Sequence, residues 1–377
     1  MTKPLDIVFI GLSLSSAWGN GHATTFRALL RGLSARGCSL TFLEQDVPWY
    51  ASHRDLPEPD FCDLILYPDV ESMIRMYGAR IARADAVVIG SYVRDGVSVI
   101  DAVSALSPRR LCFYDIDTPV TLAKLDRGDE EYLSRRQMSL FDIYFSFSGG
   151  EVLGTLERGY GVRRAAALYC AVDRARYSGT GEPIRWDLGY LGTYSPDRQP
   201  GLERLLIEPA RQLPQMRFVV AGPQFPADID WPSNVERIDH VSPEEHASFY
   251  SRQRFTLNIT RADMVAAGWS PSVRLFEAAA CGVPIISDYW RGLPELLPDG
   301  ILIARGTQDV VHALAELPEL RRGDIAARAR ATVLHKHTGE ARADEMIAAL
   351  SGVPAAPRAP IIRPIERQET LDAQTNA

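Results

Sequence analysis

The sequence predicts an α/β protein of two consecutive Rossmann-like domains, each a parallel sheet covered by helices on both faces, with a cleft between them. Three observations carry this. Short continuous apolar runs alternate with amphipathic stretches. The pattern stops at a polar segment near residue 173 and restarts near 188. The chain of 377 residues is long enough for two separate cores. Apolar runs without alternation are the mark of strands buried on both faces, and strand–helix alternation implies a parallel sheet.

The elements follow in order. Residues 7–11 (IVFIG) read as the first strand, followed by a Ser/Gly-rich loop and a helix over 24–35. Further strands are expected at 40–43, 86–89, 111–114 and 143–147, with helices at 97–106 and 150–158. Residues 173–186 are polar, rich in Arg and Gly, and form the expected linker between a domain at 1–172 and a second at 187–351. The second series has strands at 188–191, 218–221, 255–259, 284–287 and 302–303. Its helices are expected at 202–212, at 273–281 and from 308 onward. Residues 352–377 turn Pro- and Ala-rich, then polar, and are expected to be a disordered tail.

Composition narrows the function. A net charge of −7 argues against a general nucleic-acid partner. The five cysteines (Cys38, Cys62, Cys112, Cys170 and Cys281) are dispersed, odd in number and never in C-x-x-C spacing, so neither a disulfide framework nor a zinc site is expected. Buried thiols in a reducing compartment fit better, and the protein is read as cytoplasmic. The N-terminal run is too short for a membrane span and reads as a core strand. Peripheral membrane contact is left open.

In open α/β sheets, ligands bind beyond the carboxyl ends of the strands. The strongest motif, SPSVRLFEAAACGVP at 270–284, stands just there. Ser-Pro-Ser suits a helix N-terminus, whose free N–H groups and positive dipole end favour a diphosphate. Arg274 and Glu277 are three apart and share a helix face. Arg274 can add positive charge, and Glu277 can accept from both hydroxyls of a ribose. Gly282 provides the helix stop. A plain amphipathic helix with a surface Arg–Glu pair is the alternative.

This stretch resembles the donor helix of GT-B glycosyltransferases, in which a carboxylate is followed by small residues and C/M-G-x-P. The longer run LNITRADMVAAGWSPSVRLFEAAACGVPIISDYWRGLPEL is similar to the CgeB-like (spore maturation protein) glycosyltransferases. So are SSAWGNGHATTFRALLRGL, DVPWY and YDIDTP in the first half, and the likeness spans most of residues 5–350. The resemblance implies a GT-B architecture, two Rossmann-like α/β/α domains facing a central cleft. It implies a nucleotide sugar as donor, UDP-linked by preference, and no required cofactor or metal. Glu277 matches the residue that binds the donor ribose. Ser270 stands where many relatives carry a second carboxylate near the sugar, so retaining and inverting outcomes both stay open.

Other donor-side candidates are Gly192, Thr193, Tyr194 and Arg198, which follow the first strand of the second domain. Small residues let the backbone approach a phosphate, and Arg198 can clamp it in a bidentate manner. The resemblance places a phosphate-binding loop here and the nucleobase near His240 and Val241. Arg261, Ser270, Ser272 and Val273 complete the donor set. A simple strand–helix turn is the alternative at 192–198, and His240 can stack on a base or merely cap a helix.

On the first domain, Trp18, Gly19, Asn20 and Gly21 form a glycine-containing loop before His22. GNGH is not a G-x-G-x-x-G fingerprint, which disfavours a nicotinamide enzyme. His22 is a candidate general base, with a capping or core histidine as the alternative. Asp115 and Asp117 end a buried strand. Asp117 can take a proton from the acceptor or position His22, whereas D-x-D in a metal-binding role or a simple turn would be the competing readings. Trp49, with Tyr50 beside it, offers a ring for stacking on an acceptor sugar. A nucleotide-sugar epimerase of the same fold and a non-catalytic sugar-nucleotide-binding protein are the alternatives to transfer.

Overall fold

The computed structural model describes residues 4–18 and 21–352. Gly19, Asn20 and the tail expected beyond 352 lie outside them, Gly352 excepted. Two parallel sheets stand one after the other. The first contains β1 (Asp6–Gly11), β2 (Ser39–Gln45), β3 (Asp63–Tyr67), β4 (Ala86–Gly90), β5 (Leu111–Asp115), β6 (Ile143–Ser146) and β7 (Ala165–Ala167). Their order is β3-β2-β1-β4-β5-β6-β7. The second contains β8 (Trp186–Leu191), β9 (Phe218–Ala221), β10 (Val235–Ile238), β11 (Gln253–Asn258), β12 (Ile285–Ser287) and β13 (Ile301–Ile303), in the order β10-β9-β8-β11-β12-β13. The order reverses between β1 and β4 in one sheet and between β8 and β11 in the other, and such a reversal opens a crevice at the carboxyl ends.

The continuous apolar runs have the expected cause. In β1, Val8 and Ile10 pack with Met73, Ile81, Val99 and Val103 on one face. Ile7 and Phe9 pack with Phe26, Leu29, Leu30 and Leu33 of the Gly21–Ala35 helix on the other. Successive side chains point to opposite faces, so a strand covered twice must be apolar throughout. Strand β3 and the following Val70–Arg83 helix were not among the expected elements. β3 is an edge strand with mostly half-exposed residues, although its apolar run LILY is as long as those of β4 and β5.

Two departures matter for the site. The helix expected at 202–212 is broken into Gln199–Leu202, a π turn at Glu203–Ile207, and Glu208–Gln212. Pro209 has no N–H to continue the α-helical ladder. The last helix, Gly339–Ser351, leaves the second domain to which sequence order assigns it. Its Ala343, Met346, Ala349 and Leu350 complete the core of the first domain beside Leu29, Leu30 and Leu33. Gly32 and Gly339 meet where these helices cross, each against the other helix's backbone. The chain therefore passes between domains twice, and Val172 pairs with Thr338 where the two passages run side by side.

A second interdomain contact is built on Trp269. Its indole covers Gly150 of the first domain and Gly292 of the second; a Cβ on either glycine would lie 2.1 or 2.3 Å from the ring. Gly149 N donates to Trp269 O at 2.9 Å, and Arg291 pairs with Glu151 at 2.6 Å. No helix among the described residues is long and apolar enough to cross a membrane.

Candidate functional site

A cleft of about 940 Å³ opens between the domains. Its lining comes from segments that follow the carboxyl ends of β1, β2, β8, β9, β10 and β11. The second-domain wall holds Leu191, Gly192, Thr193, Arg198, Gly222, Pro223, His240, Val241, Ser272, Val273, Arg274 and Glu277. Most of the expected donor residues are thus brought together.

The helix Val273–Ala280 is started by Ser272, whose hydroxyl accepts from the Arg274 amide at 3.3 Å. Arg274 then reaches back to the sheet. Its Nε donates to Leu191 O at the end of β8, and its Nη1 donates to Asn258 Oδ1 at the end of β11, at 3.1 Å. Its guanidinium also lies 5.1 Å from the Tyr190 ring centroid. Arg198 donates from Nη2 to Thr193 O at 2.7 Å, while its Nε is buried with no partner. Burial pulls the Arg198 pKa below its ordinary value, and neighbouring Arg274 adds to this. Two guanidiniums crowded at a helix N-terminus form a place where a diphosphate is favourable. Gly222, at φ +137°, lets the β9 loop run against Gly192; a Cβ there would stand 2.1 Å from Gly192 O.

Glu277 lies in the same cleft, only 6% exposed. Tyr250 donates to its Oε2 at 3.2 Å, and His246 Nδ1 stands 4.0 Å from the same oxygen. Tyr177 lies 3.2 Å from His246 Nδ1 through its hydroxyl. Burial lowers the His246 pKa, against the pull of Glu277. Tyr177, Arg176, His246 and Tyr250 were not foreseen. Tyr177 belongs to the polar segment expected to be a mere linker, yet it is 4% exposed and lines the cleft.

Several expected donor residues are elsewhere. Ser270 is fully buried and bonded to Ser148 at 2.6 Å and to Gly268 O at 2.8 Å, so it ties the domains together instead of facing the cleft. Tyr194 packs against Phe225, with ring centroids 5.5 Å apart, and does not line the cleft. Arg261 also stands outside the lining and pairs with Asp197 at 3.8 Å.

The first-domain wall holds Ala17, Trp18, Gly21, Thr24, His53 and Asp55. A buried Glu44 at the end of β2 fixes this wall. It accepts from the amides of Leu14 and Ser15 at 2.6 and 2.9 Å and from the hydroxyls of Ser13 and Ser15. Trp49, the ring expected to stack on an acceptor sugar, lies in the short helix Pro48–Ala51, near Arg94, and is not part of the wall; the indole found on the wall is that of Trp18, from the loop after β1.

The two expected catalytic groups meet at Tyr92, which no motif had marked. Tyr92 donates to Asp117 Oδ2 at 3.2 Å, and the His22 ring meets its edge with centroids 5.1 Å apart. Tyr92 holds φ +61°, a conformation retained by bulky residues only where surrounding structure enforces it. Neither His22 nor Asp117 is among the residues lining the cleft. Burial lowers the His22 pKa to about 4, and its Nδ1 is unpartnered. Burial moves Asp117 the other way, upward. A base works best with a pKa near the working pH, so Asp117 moves toward that range and His22 away from it.

Asp115 is a correction. It is fully buried, accepts from Tyr144 at 2.6 Å and Thr121 at 2.8 Å, and receives the Asp117 amide at 3.1 Å. Burial raises it to about 6. Alternation along the strand end sends Asp115 inward, so it braces the loop that carries Asp117 rather than meeting an acceptor. Among the described residues, no group of three or more His, Cys, Asp or Glu is placed to hold a metal.

Parts of this chain are similar to known proteins. Residues 198–348 match the model of a family described as Glycosyl transferase-like. A D-inositol 3-phosphate glycosyltransferase of Mycobacterium sp. (strain KMS) is 30% identical over 168 residues, 42% of this chain and 37% of the relative. The same-named protein of Mycobacterium leprae (strain TN) is 29% identical over 175 residues, 43% of this chain and 40% of its own. The match therefore spans about two fifths of the curated relatives' length. Among solved structures, an alpha-glucosyltransferase in complex with UDP and a 13-mer DNA superposes with TM-score 0.67 at 13% identity, covering 92% of this chain and 99% of that one. Anabaena HepE in complex with UDP-glucose gives 0.64 at 12% identity, over 93% and 100%. Sucrose-phosphate synthase from Thermosynechococcus elongatus gives 0.62 at 14% identity, over 92% and 98%. The chain thus has the two-domain GT-B fold of these solved structures, and its residues 198–348 are similar to the Glycosyl transferase-like family.

Proposed function

We propose that this protein transfers a glycosyl group from a nucleoside diphosphate sugar, UDP-linked by preference, to an acceptor on the first-domain wall, without an essential metal. The observation that carries this is the grouping of Arg198, Arg274, the N-terminus of Val273–Ala280 and the sheltered Glu277 in one cleft. In this reading the two arginines and the helix dipole stabilise the departing diphosphate. Glu277, aligned by Tyr250, holds the ribose. Asp117 accepts the acceptor proton, with Tyr92 orienting its carboxylate, once the domains close over bound donor. The dispersed cysteines, none in C-x-x-C spacing, suit a cytoplasmic setting. The GNGH, DVPWY and YDIDTP segments support a place near the CgeB-like branch.

The test is a thermal-shift panel of UDP-, GDP- and dTDP-sugars, because a ligand selective for the native state raises its melting temperature. A UDP-sugar is expected to give the largest rise, and activity is expected to survive EDTA. If no nucleotide sugar shifts melting, the donor assignment is wrong. Loss of activity in EDTA, restored by a divalent ion, would remove the metal-free mechanism.

A further inference from the structure

Within the glycosyl-transfer reading, on which this rests, we infer that the acceptor is an uncharged ring compound, such as an unphosphorylated sugar or glycoside, seated on Trp18 with a hydroxyl on Asp55. Trp18 is 55% exposed although it lines a cleft, and its ring stacks on His53 at 4.3 Å with a 17° interplanar angle. One face of the indole is thereby covered and the ring held in place. The exposed remainder is a rigid apolar surface of the size of a sugar ring.

Beside it, Asp55 offers a carboxylate whose side chain is half exposed. Arg27 approaches from behind, donating to Oδ1 and Oδ2 at 2.7 Å each, and the Ala17 amide donates to Oδ1 at 2.9 Å. Oδ2 keeps lone-pair capacity toward the cleft for a hydroxyl donor. Burial alone would raise the Asp55 pKa, but Arg27 and the amide outweigh it, so the group is held ionised.

A phosphorylated acceptor needs cations on this wall. The first-domain lining contains no lysine or arginine among the described residues. The arginines near this wall have partners: Arg27 has Asp55 and Leu14 O, Arg54 has Asp46 and Arg31 has Asp173, while Arg176, which lines the cleft from the segment between the domains, stands 3.7 Å from Glu244. The Asp55 carboxylate is itself neutralised by Arg27, so the pair leaves no surplus positive charge to receive a phosphate. This differs from the acceptor named for the mycobacterial relatives, whose match covers only part of each chain.

The experiment measures UDP release by the full chain with the UDP-sugar that gives the largest thermal shift. Phenyl β-glucoside and myo-inositol serve as uncharged acceptors, with glucose 6-phosphate and inositol 3-phosphate as charged counterparts. The uncharged compounds are expected to be used with kcat/KM about tenfold higher or more. Trp18→Ala should raise the acceptor KM about tenfold while UDP affinity stays unchanged, and Trp18→Phe should restore most of it. Preference for the phosphorylated compounds, or an unchanged KM in Trp18→Ala, overturns the acceptor class. UDP binding without turnover on any of the four overturns it while leaving the donor site standing; absence of UDP binding overturns both.

Discussion

Arg274 donates to Asn258 Oδ1 at 3.1 Å while its Nε reaches Leu191 O, so one guanidinium bridges the ends of the two strands between which the sheet order reverses. The residue proposed to meet the diphosphate therefore also holds the crevice in shape. Arg274→Ala should weaken UDP binding by about 1.5–3 kcal/mol, the range for hydrogen bonds to charged groups. Arg274→Lys should recover only part of it, because a lysine lacks the planar fork. Isothermal titration with UDP is the measurement, and equal affinity in all three proteins would place the diphosphate elsewhere.

Glu277 should discriminate ribose from deoxyribose. The wild-type protein is expected to bind UDP more tightly than 2′-deoxy-UDP, and Glu277→Ala should abolish the difference. Tyr250→Phe removes the donor to Oε2 and should cost about 0.5–1.5 kcal/mol of UDP affinity. Competition binding with the two nucleotides checks both. A difference that persists in Glu277→Ala takes the ribose away from this residue.

Trp269 and Gly150 should behave as one unit. Trp269→Ala is expected to cost about 2–3 kcal/mol of stability through the lost interdomain packing. Gly150→Ala should cost about 1–3 kcal/mol, since its φ is +59° and the new methyl would strike the indole. With the indole gone that clash disappears, so the double variant should be less destabilised than the sum of the singles. Urea denaturation of the four proteins gives the answer; strict additivity would mean the two residues are not coupled.

Asp115 supplies a pH dependence. Its folded pKa, about 6, is above the ordinary 3.8, because burial disfavours its charge. A raised folded pKa means the stability from this group is fully present below the unfolded pKa and is lost as pH rises through about 6. Asp115→Asn does not titrate. From pH 4.5 to pH 7.5 the wild type should therefore lose about 2 kcal/mol relative to the variant. Denaturant midpoints at the two pH values measure this, and parallel behaviour would show that Asp115 is not strained by burial.

Much of the fold could be read locally. The runs IVFIG, AVVI, LCFY and FVVA at β1, β4, β5 and β9 are apolar throughout because both faces are covered, and that requirement acts residue by residue. The cap at Ser272, the Arg274–Glu277 spacing and the stop at Gly282 are likewise local, set by helix geometry within a dozen residues.

The lining of the cleft was legible on the Val273–Ala280 helix and in the loops after β1, β8 and β10. From the sequence came the two-domain alternation, the Val273–Ala280 helix with its cap, and the residue types able to meet phosphate and ribose. Those follow from periodicity, propensity and capping, which act over short spans of chain. Tertiary structure decided which neighbours they found. It brought Tyr177 from a polar passage to His246 beside Glu277, turned Ser270 to Ser148, sent Asp115 inward, and carried the Gly339–Ser351 helix back to the first domain. Each depends on contacts between residues distant in the chain, where packing and burial, not spacing, choose the partner.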